Sequence, residues 1–301
     1  MRKPKRDETE KTIEDCRTVG RICLMLVSVF VIWGLVYMPY RPGTPMPLPE
    51  HLSWMEAQRD MRRYILPENG SQALMPRNAC NGSVFVVVLV CSSVPNFDAR
   101  QAIRDTWAQD AAKLNNMRVF FLLGKSSNES LNNAVYNESQ KFSDIIQEDF
   151  LDTYNNLTLK SVMLLKWVNQ NCANAQYIMK TDDDMFVHLP NLFRLLKVKG
   201  RKWLLLGCLI RGAVPVKDWN SKWYVPEVVY PGRVYPPYLS GTGYVMSRES
   251  ASVLYRTALN TAFFYLEDIF ITGICASRAG LKAVNNEGFK FYKRKKQYLC
   301  V

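Results

Sequence analysis

Histidine is nearly absent: His51 and His188 are the only two in 301 residues. No Ser-His-Asp or Cys-His arrangement stands out, so hydrolysis through an activated nucleophile is poorly supported. No C-x-x-C pair occurs, which argues against a zinc site. No internal repeat is visible. Acidic residues are in deficit, 27 against 39 basic, for a net charge of +12. A nucleic-acid interface would gather that excess into a basic stripe interleaved with aromatics, and none stands out. The densest run, residues 290–296, is short and lies near the C-terminus. We read a solvated basic surface, suited to attracting anionic substrates such as nucleotide diphosphates, and expect no nucleic-acid partner. At 48% hydrophobic and 22% charged, the chain sustains a core and global disorder is excluded.

Residues 22–38, ICLMLVSVFVIWGLVYM, form a run of 17 without a charge, at the short end for a membrane-spanning helix. Arg2, Lys3, Lys5, Arg6, Lys11, Arg17 and Arg21 precede it, which keeps residues 1–21 cytosolic and sends the rest to the lumen. The polar region before the run is long for a cleaved signal peptide, and no small-x-small site follows, so an uncleaved type II anchor is expected. Five Asn-x-Ser/Thr sequons, at Asn69, Asn81, Asn128, Asn137 and Asn156, agree with a lumenal location. So do six cysteines beyond the anchor, Cys80, Cys91, Cys172, Cys208, Cys275 and Cys300, an even number that favours disulfides of unspecified pairing.

Residues 39–78 hold seven prolines, a density that argues against packed regular structure and predicts a stem. The texture changes at residue 84. VFVVVLVC (84–91) and RVFFLL (118–123) are continuous apolar runs, as strands buried on both faces should be. Helices are expected at 98–108, 129–142, 158–171 (apolar on most faces, hence interior), from Pro190 onward, and at 267–279 closed by Gly280. Short strands are expected at 177–179 and 203–206. Strands alternating with helices predict an α/β domain over 79–301 with a mostly parallel central sheet and ligands beyond the strands' carboxyl ends.

Candidate chemistry concentrates in short segments. Asp182, Asp183 and Asp184 directly follow an apolar strand; three adjacent carboxylates repel one another unless a cation neutralises them, and hard oxygen ligands suit Mg²⁺ or Mn²⁺ bridging to phosphates. Glu267 and Asp268 follow the apolar FFYL (263–266), where apolar neighbours raise a carboxyl pKa toward that of a general base. Read singly, each has a plain alternative: a solvated acidic turn for the first, a first-turn charge on a helix dipole for the second. Arg100 and Arg104 lie four apart beside Trp107, a pattern that suits a diphosphate and a base or, equally, a surface pair over a core indole. Gly241 and Gly243 sit where backbone can approach closely, or in an ordinary turn.

Taken in order, RQAIRDTW (100–107), FFLLG (120–124), EDFLDTYNNLTLK (148–160), YIMKTDDD (177–184), YPPYLSGTGY (235–244) and EDIFITG (267–273) resemble the β1,3-glycosyltransferase family of β1,3-galactosyl- and β1,3-N-acetylglucosaminyltransferases, over about residues 84–290. The resemblance implies a GT-A-like fold and inverting transfer from a UDP-sugar to the 3-hydroxyl of an acceptor glycan on protein or lipid, with galactose favoured, in the Golgi membrane. It implies Asp182 and Asp184 as ligands of Mn²⁺, and Asp268 as the base with Glu267 beside it. Arg100, Arg104, Trp107, Lys180, Asp182, Asp183, Gly241 and Gly243 are implied on the donor side. Members of that family continue past a cysteine like Cys300 with a segment carrying a histidine that can complete the metal site, whereas no histidine follows His188 before Val301. The alternative to an active enzyme is therefore an inactive lumenal relative acting as a chaperone or glycan-binding module.

Overall fold

A computed structural model describes residues 59–290, apart from 67, 69, 115, 200 and 201, together with Met25, Leu26 and Ser28. The chain divides into two compact units, Met1–Pro49 and Glu50–Val301, and the fold below is that of the second. The cytosolic tail, most of the apolar run 22–38, the first part of the stem, His51 and Cys300 lie outside the described residues.

Eight strands form one mixed sheet in the order β1-β4-β3-β2-β5-β7-β6-β8. They are β1 (Gln72–Leu74), β2 (Val84–Cys91), β3 (Met117–Lys125), β4 (Ile145–Leu151), β5 (Ala175–Asp182), β6 (Leu205–Ile210), β7 (Tyr238–Ser247) and β8 (Val284–Asn285). The expectation of a mostly parallel sheet holds for one half. The pairings β4–β3, β3–β2 and β2–β5 are parallel, as is β6–β8. The pairings β5–β7, β7–β6 and β1–β4 are antiparallel. β7 holds Gly241 and Gly243, for which the sequence left open a close backbone approach or an ordinary turn; both lie within the strand.

Every residue of β2 is buried, which explains its unbroken apolar run: it lies between β3 and β5 with both faces covered. From β2 the chain crosses through α2 (Phe97–Asp105) and α3 (Gln109–Lys113) to β3, and through α4 (Glu129–Phe142) to β4. It then returns through α5 (Leu157–Asn171) to place β5 on the opposite side of β2. That reversal leaves a crevice beyond the carboxyl ends of β2 and β5, where Cys91 pairs with Asp182. The later helices are α6 (Leu189–Lys199) and α7 (Arg248–Leu259). The helix expected at 267–279 is present over 267–278, with a π-helical segment, Ile269–Cys275, at its centre and α8 (Ala276–Arg278) at its end. Gly280 follows it at φ 71°, the left-handed stop expected of it.

α5 is interior, as its composition predicts, and carries two buried lysines, each with oxygen partners. Lys160 Nζ meets Asp152 Oδ1 at 2.7 Å and the Ser92 carbonyl at 2.8 Å. Lys166 Nζ donates to the carbonyls of Ile65 and Leu66 and to Ser71 Oγ, at 2.9, 3.0 and 3.0 Å. The second set corrects the stem reading. Met61–Ile65 and Gln72–Leu74 are packed regular structure: α1 (Met61–Ile65) buries Met61 and Ile65 one helical turn apart, and β1 extends the sheet edge. Proline density marked the segment as irregular, but a single apolar stripe and a buried ammonium suffice to dock it.

Of the described cysteines, Cys80 and Cys172 are joined, while Cys91, Cys208 and Cys275 are free. The bridge closes a loop of 92 residues that ties the entry to β2 to the end of α5. Replacing both cysteines by alanine is expected to lower unfolding free energy by about 2–5 kcal/mol, since the cross-link restricts the unfolded chain. Denaturant melts of the two forms check it.

Candidate active site

Beyond the ends of β5 and β7 lies a cleft of about 600 Å³. Lys180, Asp182, Asp184, Gly241, Glu267 and Asp268 all line it, so segments that sequence reading treated separately converge here. Lys180 and Tyr244 are cross-strand partners on β5 and β7, and both reach Glu267. Lys180 Nζ lies 2.7 Å from Asp182 Oδ1, 2.6 Å from the Gly241 carbonyl and 3.4 Å from Glu267 Oε2. Tyr244 donates its hydroxyl to Glu267 Oε1 at 2.5 Å. Burial alone pushes the Lys180 ammonium down, but the carboxylates of Asp182 and Glu267 outweigh it and hold its pKa well above the usual lysine value. Both oxygens of Glu267 are therefore committed within the chain.

Asp268 is placed differently. It stands at the N-cap of the π-helical segment, with Oδ1 accepting from the Ile269 N–H at 2.8 Å. Burial raises its pKa, the Glu267 charge adds to this, and the value reaches about 6 despite backbone donors from Ile269 and Gly241. The close approach expected of the glycines holds at Gly241: a Cβ there would stand 3.3 Å from Glu267 Oε2 and 3.4 Å from the Asp268 Cβ. At Gly243 the nearest atoms would be at an ordinary 3.5 Å.

The acidic triplet splits. Asp182 and Asp184 face the cleft, while Asp183 Oδ2 accepts from Ser92 Oγ at 2.7 Å and Asn96 Nδ2 at 2.9 Å. Burial raises the Asp184 pKa, and the neighbouring Asp182 and Asp183 charges raise it further. That like-charge crowding, in an all-oxygen donor set, fits a divalent cation. Among the described residues no three His, Cys, Asp or Glu side chains gather to hold one, so the chain offers Asp182 and Asp184 and a bound phosphate or water would complete the shell. His188 is engaged elsewhere: its Nδ1 accepts from the Asn191 N–H at the start of α6.

Arg100, Arg104 and Trp107 do not line the cleft. Arg100 is fully buried; it forks onto Glu138 at 2.7 Å and donates to Ser92 Oγ and the Ser93 and Val94 carbonyls. Arg104 bridges Glu138 at 2.8 Å and Asp144 at 2.7 Å. Trp107 belongs to the core. Arg100 thus reaches the triplet from behind, through Ser92, which also holds Asp183, and Arg104 joins it only by sharing Glu138. Sequence reading missed Glu138, Ser92, Asn96 and Tyr244: Ser92 and Asn96 carry only the signal of their position at element ends, while Glu138 lies within α4 and Tyr244 within β7. It also missed the aromatic rim of the cleft, where Lys222 Nζ sits 5.6 Å from the Tyr154 ring centre and 4.9 Å from that of Trp223.

Residues 98–287 match the galactosyltransferase family model. Human β1,3-galactosyltransferase 1 is 42% identical over 240 residues, covering 77% of this chain and 72% of that protein. Human β1,3-galactosyltransferase 5 is 39% identical over 222 residues, covering 73% and 71%. Among solved structures, a Pyrobaculum calidifontis mannosyltransferase in complex with GDP-mannose and Mn²⁺ superposes with a TM-score of 0.37 at 13% identity, over 75% of this chain and 61% of that one.

The network behind the triplet has a measurable energy. Glu138→Gln leaves the buried Arg100 guanidinium without its counter-charge, and loss of one partner of a buried pair costs about 3–5 kcal/mol. Urea denaturation is expected to show a loss of that size; a loss below about 1 kcal/mol would mean the pair contributes little.

Proposed function

The chain belongs to the galactosyltransferase family, and from that premise we propose that it moves galactose from UDP-galactose, with inversion, to the 3-hydroxyl of an acceptor glycan on a GT-A-like fold. The observation that carries the reading is the meeting, in one cleft, of two carboxylates at the end of β5 with a third, Asp268, whose pKa lies near 6.

A sugar hydroxyl is a poor nucleophile at neutral pH and needs a base within hydrogen-bond reach. Asp268 is that base. Glu267 has the same chemistry but both its oxygens are held by Lys180 and Tyr244; it is a positioning residue that fixes the strand-to-helix junction before Asp268. Asp268 keeps a tight backbone geometry through Ile269 while burial leaves it basic enough to accept a proton. The half-exposed rings of Tyr154 and Trp223 suit the apolar faces of an acceptor pyranose. Asp182 and Asp184 would hold Mn²⁺, with Asp183 keeping their turn in place. Such a cation would supply positive charge to offset that building on the departing UDP. Lys180 and the Gly241 backbone complete the donor side.

The same reading places the catalytic unit in the Golgi lumen behind a type II anchor at residues 22–38. Its support is the charge-free run, the basic residues before it and the sequons after it. Among the described residues no helix is long and apolar enough to cross a membrane.

Asp268→Asn keeps size and the Oδ1 acceptor but cannot take a proton. Turnover is expected to fall by roughly 10²–10⁴-fold, with UDP binding retained. In the wild type, turnover should rise with pH through an inflection near 6 as Asp268 ionises, and this inflection should vanish in the variant. Stability runs the other way. A carboxyl whose folded pKa is raised stabilises the fold below its unfolded pKa and loses that contribution as pH rises through about 6. Asp268→Asn should therefore gain in Tm relative to wild type as pH moves from 4 to 7. Near-normal turnover in Asp268→Asn would remove the assignment. Separately, Asp184→Ala should abolish Mn²⁺-dependent UDP binding in calorimetry without lowering Tm, because it relieves like-charge crowding.

A further inference from the structure

A second cavity, of about 510 Å³, lies at the other end of β6 from the cleft and shares no lining residue with it. Lys199 at the end of α6, Lys202 and Trp203 in the turn before β6, and Lys282 before β8 line it, along with Val198 and Val284. Among the described residues, no acidic side chain lines it. Among the described residues, none of the three lysines is paired with a carboxylate. Trp203 is 54% exposed and its backbone stands at φ 64°, in the left-handed region that a bulky residue seldom adopts. The indole thus stands half in solvent, in a strained turn, on the wall of a cavity that three exposed lysines also line. Strain of this kind points toward a ligand.

We propose that this cavity binds an acidic saccharide, one bearing a sulfate or a carboxylate. The lysines supply the counter-charge, and Trp203 with Val198 and Val284 supplies the apolar surface that the C–H face of a pyranose seeks. The volume falls in the range of small-ligand sites, and a concave pocket suits a saccharide better than a flat bilayer surface. The site is separate from transfer chemistry. Its occupant would hold the enzyme on acidic glycans while the cleft works elsewhere on the same or a neighbouring chain; this last point alone rests on the proposed activity.

The experiment is calorimetric titration of the full chain in detergent with 3′-sulfolactose, lactose, inorganic sulfate and phosphatidylserine vesicles. Trp203→Gly removes the indole and suits the positive φ, so folding is preserved. The expected result is that 3′-sulfolactose binds at least about tenfold more tightly than lactose or sulfate. Trp203→Gly and Lys199→Ala/Lys282→Ala should each weaken it about tenfold while galactosyl transfer to an uncharged acceptor is unchanged. No binding of 3′-sulfolactose, binding indifferent to both variants, sulfate binding as tightly as the sulfated sugar, or binding only to vesicles would each overturn the proposal.

Discussion

The buried ammonium of Lys180 is the constraint on which the site depends. A cation taken out of water must be matched by anions close at hand, or the fold loses more than it gains. Here the match comes from Asp182, two residues along the same strand, and from Glu267, 87 residues away. Satisfying one charge therefore pins the acidic turn after β5 to the junction that presents Asp268. Tyr244, opposite Lys180 on β7, takes the other oxygen of Glu267 and closes the arrangement. With Glu267 saturated, Asp268 is left as the carboxyl whose environment raises its proton affinity toward neutrality.

Behind the triplet a second set of buried charges performs a similar task from the opposite side. Arg100 and Arg104 share Glu138, Arg104 also takes Asp144, and Ser92 passes a hydrogen bond from Arg100 to Asp183. One carboxylate of three is thereby spent on scaffold, and its two neighbours are turned outward. This resolves the cost of placing three acidic residues in succession: they do not share one environment. The same logic runs through α5, whose Lys160 caps the Ser92 carbonyl and whose Lys166 fastens the segment leading into the domain. Polar contacts in this protein sit at strand ends and between distant segments, while β2 and its neighbours supply the apolar core against which those contacts are dry.

What the sequence by itself determined was the class of fold, the position of its central strand and the acidic segments that meet in one cleft. A continuous apolar run such as 84–91 fits a strand covered on both faces, and helix spans such as 129–142 and 158–171 follow from spacing alone. Six ordered motifs sufficed to indicate the family that the comparisons then showed. What only the tertiary structure decided was direction and partnership. Arg100 and Arg104 read as ligands for a diphosphate because a guanidinium looks the same whether it meets a substrate or a buried carboxylate, and the deciding partner, Glu138, lies 38 residues from Arg100. Asp183 could not be told from Asp182 and Asp184, since successive residues of a turn point apart by angles that depend on what surrounds them. The packing of Met61–Ile65 was hidden because its anchor, Lys166, sits on a helix about a hundred residues later. Periodicity reports which side of an element is apolar; it carries no record of which charge waits on the other side.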